Sequence, residues 1–323
     1  MNKENSIKNI KDLYKSIAED WSKIIGRESS LVYDDIFDFI HAYTHGIDET
    51  YPLSNESSVQ FEPYIQILHF SVAYNHFIYE KMTKVLTGKS IYMHLKTEPN
   101  PLTDLLILQI WRQKNFALDN IVRSFCIGRE FQAFQQLRSY IESCQLIFLL
   151  LTDVDSINRY LNQELSNEDY NKLWWKHLSP SKIAKQIKSN KQKVLDEEKN
   201  SGMKWGDIRK REPGNYEFFE KMLSKCNDYL HWNKDALLQH TYNENKSAFR
   251  ILGTRDWSTN SKQNLVNLIE TASYTTSWLE EALSIHITLF DMSDLTGQAL
   301  EFYHSVLALT ATYNGMYEFA ENA

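Results

Sequence analysis

The stretch Gly128–Thr152, GREFQAFQQLRSYIESCQLIFLLLT, decides how the chain is to be read. It carries the mixed apolar and polar spacing of a helix. Towards its end, over Leu146–Leu151, it becomes apolar on most sides. A helix that is apolar all round belongs in the middle of a core, so the neighbouring segments are expected to pack around this one.

Composition agrees with a helical reading. The 323 residues contain only ten Gly and six Pro, about 5% of the chain where average usage gives roughly 12%. Few breakers favour long elements. Hydrophobic content of 42%, with aromatics at 13%, supplies a large apolar payload, and disorder, collagen-like and small disulfide-rich classes are excluded. Thirty-five Lys and Arg against 42 Asp and Glu give a net charge of −7. A generally basic nucleic-acid coat is therefore not expected, although a local basic patch remains open.

Working outward, helical patterns run over about 7–25, 31–45, 61–86, 102–126 and 129–152, the last two separated at Gly128. Residues 46–60 and 88–101 read as connections. Shorter helices are expected at 155–165, 167–178 and 181–189, the last restarted by Ser179-Pro180-Ser181, with Pro in the first turn. A helix at 216–233 and a short pattern to His240 follow. Residues 241–261 are irregular, with Phe249–Leu252 as a strand candidate, and long helices at 262–289 and 292–319 end the chain. The prediction is an all-α bundle of nine to eleven helices. It divides into an N-terminal helical region (1–98), a helical core (99–240) with a basic insertion near 185–214, and a C-terminal helical hairpin packed on the core (241–323).

Cys126, Cys144 and Cys226 form neither an even disulfide framework nor a metal knuckle, and two of them lie within strongly helical patterns, where a free Cys reads as a small buried hydrophobe. No signal peptide is visible at the start, and the apolar runs are shorter than the ~20 residues of a spanning helix. A cytoplasmic protein with no membrane partner is expected.

The run GREFQAFQQLRSYIE followed by LLLTDVDSINR resembles the core of an uncharacterised bacterial helical family related to HEPN (nucleotide-binding) domains. That family's core helix has an Arg followed four residues later by Glu, matched by Arg138 and Glu142. A later helix closes on a His, matched in EFFEKMLSKCNDYLHWN by His231. The resemblance covers roughly residues 100–240. It implies a HEPN-like core that binds a nucleotide, RNA or a partner protein, in bacterial stress or phage defence. Two departures matter. Asn227 stands where the family usually has Ser, and no Arg here is followed by His at the four-to-six spacing of HEPN ribonucleases. RNA cleavage by that route is not expected.

The candidate site is therefore Arg138, Glu142 and His231, with Asn227 and Asp228 beside the His. Arg138 would recognise an anion through its fork, Glu142 would orient Arg138 or His231, and His231 would donate a hydrogen bond or act as acid or base. The alternative is that these residues only staple two core helices. Lys204 and Trp205, in a stretch of nine Lys/Arg against four Asp/Glu between Lys185 and Arg211, add a second candidate contact for phosphate and base. No cofactor or resident metal is expected on the favoured reading. A competing reading takes Asp228/His231 and Glu301/His304 as carboxylate–His pairs of a di-iron site, completed by Glu142 and one of Glu270, Glu280 or Glu281. A third takes the chain as an oligomeric interaction protein without chemistry, and a homo-oligomer is expected in any case. The pairs His41/His45 and His69/His76 have helical spacing but read as ordinary histidines.

Overall fold

The structure, a computed structural model, describes residues 56–86, 101–152, 167–189, 216–231, 233–234 and 261–289, with positions 12, 15, 16 and 19. Among these residues there is no strand. The helices are α1 (Glu56–Leu86), α2 (Pro101–Cys126), α3 (Glu130–Thr152), α4 (Asn167–Leu173), α5 (180–189), α6 (Tyr216–Leu230) and α7 (Ser261–Leu289). Among the described residues the all-α expectation holds. Of the first expected N-terminal helix only positions 12, 15, 16 and 19 are described, and these are helical; the second N-terminal helix, the strand candidate, the final helix, and the pairs His41/His45 and Glu301/His304 lie outside the described residues.

α3 is the central element: it packs against α2, α6 and α7, while α1 packs against α2 and α7. Four helices thus close a ring, and α6 lies on the side of α3. The sequence explains the position of α3. Its first half buries a stripe that includes Ala133, Phe134, Leu137, Tyr140 and Ile141, and its end buries Ile147, Phe148, Leu149 and Leu150 in succession. α2 has a narrower stripe through Ile107, Trp111, Leu118, Ile121, Val122 and Phe125. One hydrophobic core runs through α1, α2, α3, α5, α6 and α7, so the described helices of all three sequence regions share it.

The turn between α2 and α3 has a physical cause. Gly128 adopts a φ of 75°, a left-handed conformation that costs glycine little. Its N–H donates to Phe125 O at 2.9 Å and the Arg129 N–H donates to Ser124 O at 2.8 Å, the paired closure of a Schellman motif. The Arg129 carbonyl then accepts from Ala133 at 3.1 Å and opens α3. Three residues suffice to reverse the chain.

Three boundaries differ from the sequence expectation. Residues 56–60, read as loop, are helical and form the first turns of α1, where Glu and Ser are well tolerated. The helix expected over 167–178 changes to a wider π-helical turn at Trp174–Leu178. α6 stops at Leu230, short of 233, because the Asn233 N–H donates to Asp228 O at 2.8 Å and its side-chain amide donates to Asp228 Oδ1 at 3.1 Å. The start of α5 matches expectation: Ser179 is extended, and its carbonyl accepts from Lys182 and Ile183 around Pro180.

No described helix is long and apolar enough to cross a membrane.

Candidate functional site

The expected i,i+4 pair forms. Arg138 Nε donates to Glu142 Oε1 at 2.7 Å. Arg138 Nη1 reaches the other way and donates to Asn227 Oδ1 on α6. The guanidinium therefore sits between two acceptors on two helices, with side chains 34% and 32% exposed for Arg138 and Glu142. Two bonds fix the plane of the fork while a third of the side chain stays open to solvent, a geometry suited to meeting a planar or phosphate oxygen pair.

His231 and Asp228 sit differently. The backbone N–H of His231 donates to Asn227 O at 2.9 Å, so His231 occupies the turn just beyond α6, one helical turn from Asn227. Its side chain is exposed, as is that of Asp228, which takes the Asn233 amide. The structure thus brings together Arg138, Glu142 and Asn227, and places His231 and Asp228 at the solvent rim of the same helix end. Lys204 and Trp205 lie outside the described residues.

Behind the rim, Cys226 is fully buried, and burial pushes its thiol up to about 12, with the Arg138 charge working in the opposite direction. Cys126 and Cys144 are raised by burial in the same way, to about 12 and about 11. All three cysteines are free. Cys144 and Cys226 are buried and Cys126 is half-buried; protonated, all three are small hydrophobes with no thiolate to offer at neutral pH.

Two polar clusters were not read from the sequence. In the first, Glu130, only 2% exposed, opens α3 and accepts hydrogen bonds from Ser261 Oγ and, at 2.8 Å, from Asn264 Nδ2 on α7. Lys225 of α6 donates to Asn264 Oδ1 at 2.9 Å and lies over the Phe134 ring at 4.7 Å. Asn264 therefore bridges a buried carboxylate to a cation whose pKa is lowered by burial and raised in part by Cys226 and Glu130. Tyr229 stacks on Phe134 beside this cluster at a ring separation of 4.7 Å. The one sequence signal is an acid in the first turn of α3, where the helix dipole favours it; nothing local marks it as buried.

The second cluster lies inside the ring. Lys114 of α2 is fully enclosed, donates to Asn75 Oδ1 of α1 and lies over the Trp111 ring at 4.8 Å. Burial pulls its amine down to about 8. Among the described residues no carboxylate forms an ion pair with it. Trp111, Lys114, Cys144, Phe148 and Thr275 border a cavity with room for about one water. Nearby, Thr275 donates to Ala272 O at 2.9 Å, which leaves the Tyr140 hydroxyl to donate to Thr275 Oγ1 at 2.7 Å.

The histidines of α1 face α2. His69 is buried with Nε2 3.7 Å from Cys126 Sγ, and His76 packs edge-on to Phe116. Burial lowers the His76 pKa, with Asp119 opposing. Among the described residues no group of three or more His, Cys, Asp or Glu is placed to hold a metal.

No protein-family model, no curated protein and no solved structure matches the chain.

Proposed function

We propose that the chain is a HEPN-like helical binding module for a phosphate-bearing ligand, a nucleotide or an RNA, acting in bacterial stress or phage defence. The observation that supports the reading is the held, part-exposed fork of Arg138. Glu142 and Asn227 fix its orientation, which lowers the ordering cost of meeting an anion. His231 and Asp228 at the rim would contact the rest of the ligand, and the absent Arg–His spacing makes binding without RNA cleavage the natural role. The family relationship and the defence role come from the sequence resemblance alone.

The test is binding of labelled RNA and of nucleotides by the full chain, compared with Arg138→Lys and Arg138→Ala. Arg138→Ala is expected to weaken binding at least tenfold with the helical spectrum and oligomeric state unchanged. Arg138→Lys keeps the charge but not the fork and is expected to rescue only in part. Unfolding of both variants, with no ligand bound by the wild type, would assign the cluster to stability instead.

A further inference from the structure

The run that contains the π turn and α5 differs from the rest of the chain in charge. Between Asp169 and Asp196 the sequence has seven lysines and no aspartate or glutamate, in a protein of net charge −7. The described part shows how these charges are presented. α5 anchors itself through Ile183 and Ile187, both buried. At 100° per residue these two point along one direction, and Lys182, Lys185 and Lys188 centre on the opposite one. All three lysines are exposed, as are Ser181 and Ser189. The stripe extends about 9 Å along the helix axis at 1.5 Å per residue.

Immediately before α5, the π turn presents Trp175, 72% exposed, next to exposed Lys176. A tryptophan turned outward forgoes the burial of a large apolar ring, and π turns recur at functional sites. Trp175 is the most exposed large hydrophobic side chain among the described residues. It stands at one end of a row of cations with no acid between them.

We propose that this face binds single-stranded nucleic acid, one base stacking on Trp175 while the phosphodiester backbone follows Lys176, Lys182, Lys185 and Lys188. The inference rests on the phosphate-ligand reading above and narrows it to a substrate class and a surface. A stacking platform needs an unpaired base, which a duplex does not offer, and a lysine row supplies sequence-independent backbone contacts. A lipid surface fits less well. An interfacial helix inserts an apolar face, and the apolar face of α5 is already committed to the core.

The experiment is fluorescence anisotropy of labelled oligouridylate, the matching oligothymidylate and a duplex of equal length, with the full chain at several salt concentrations. The wild type is expected to prefer single strands, RNA or DNA, with affinity falling steeply as salt rises. Lys182→Glu/Lys185→Glu/Lys188→Glu is expected to weaken binding more than tenfold. The milder Lys→Gln triple should flatten the log–log salt slope by roughly 2, at ~0.7 per lost single-strand contact. Trp175→Ala is expected to weaken binding about five- to tenfold with an unchanged salt slope, the low end of a lost base stack. Circular dichroism of each variant checks the fold. Single-strand binding that survives both triple variants and is lost in Arg138→Ala would overturn this surface and leave the phosphate-ligand reading standing. A wild type that binds neither strand nor nucleotide would overturn both, and equal or tighter binding to anionic vesicles would overturn the nucleic-acid assignment.

Discussion

The side-chain carbonyl of Asn227 on α6 accepts a hydrogen bond from Nη1 of Arg138 on α3, while Nε of the same guanidinium is held by Glu142 one turn along α3. The cross-helix bond is the one that joins separate elements. A hydrogen bond to a charged group contributes ~1.5–3 kcal/mol when shielded, and with a third of the side chain exposed solvent screening takes it below that range. Asn227→Ala is expected to destabilise by about 1 kcal/mol in urea unfolding. Glu142→Ala, which removes an i,i+4 contact within one helix, is expected to cost less than about 0.5 kcal/mol. If the order of these two effects were reversed, the helix-joining role of Asn227 would be wrong.

Glu130 should matter more to folding than Arg138. Its carboxylate is buried and joins α3 to α7 through Ser261 and Asn264, with Lys225 of α6 attached through Asn264. Glu130→Ala leaves two polar partners facing a gap and removes the negative charge that helps hold Lys225 protonated. The expected loss is about 3 kcal/mol, the range for breaking a buried polar network on one side. Glu130→Gln keeps the shape and one acceptor oxygen and should cost about half of that. Thermal unfolding of the two variants beside the wild type checks the ranking.

Gly128 tests the turn that reverses α2 into α3. Its φ of 75° is one that an L-residue with a Cβ adopts only at a cost. Gly128→Ala is expected to destabilise by about 1 kcal/mol, whereas Arg129→Ala, at an exposed position in the same turn, should change stability by less than ~0.5 kcal/mol. Equal effects would mean that the backbone conformation is not what the glycine supplies.

These residues also show where sequence reading succeeds. The centrality of α3 was legible because a helix apolar all round over Leu146–Leu151 has few other places to go. Gly128 and Ser179-Pro180 were legible because turn and cap chemistry is local. Arg138–Glu142 was legible because four residues on a helix is a contact distance. Glu130 was not, since its partners lie more than a hundred residues downstream and the sequence around it is that of any helix start. Lys114 was hidden for the same reason: between Gln113 and Asn115 it looks like a solvated charge, and only the packing of α1 and α3 encloses it. The outward turn of Trp175 was not legible either, because it depends on the π geometry of Trp174–Leu178. The candidate Lys204–Trp205 contact lies outside the described residues, whereas the lysine row of α5 became visible only once burial of Ile183 and Ile187 fixed which side faces solvent.

Lys114 should give the fold a distinctive pH dependence. Its amine titrates near 8 in the folded protein against an ordinary 10.5, because burial disfavours the charged form. Below pH 8 both folded and unfolded chains carry the proton, and the folded state bears the full cost of a buried ammonium. Between pH 8 and 10.5 the unfolded chain holds more protons than the folded one, so stability rises with pH in that window. The Lys114 contribution amounts to about 1 kcal/mol of added stability between pH 7 and pH 9. From about pH 8 upward the three cysteines act in the opposite sense: their folded-state values near 11 and 12 exceed the ordinary 9, so unfolded thiols lose protons first and stability declines. The two effects nearly cancel, so stability is expected to stay within roughly a few tenths of a kcal/mol between pH 7 and pH 9 and to fall above that. Lys114→Met fills similar space without a titrating group, so it removes the Lys114 gain, keeps the cysteine decline and is expected to lose about 1 kcal/mol between pH 7 and pH 9. Urea unfolding of the wild type and Lys114→Met across pH 7–10 separates the two effects, and curves that run parallel from pH 7 to pH 9 would mean that the Lys114 amine is hydrated or paired in solution.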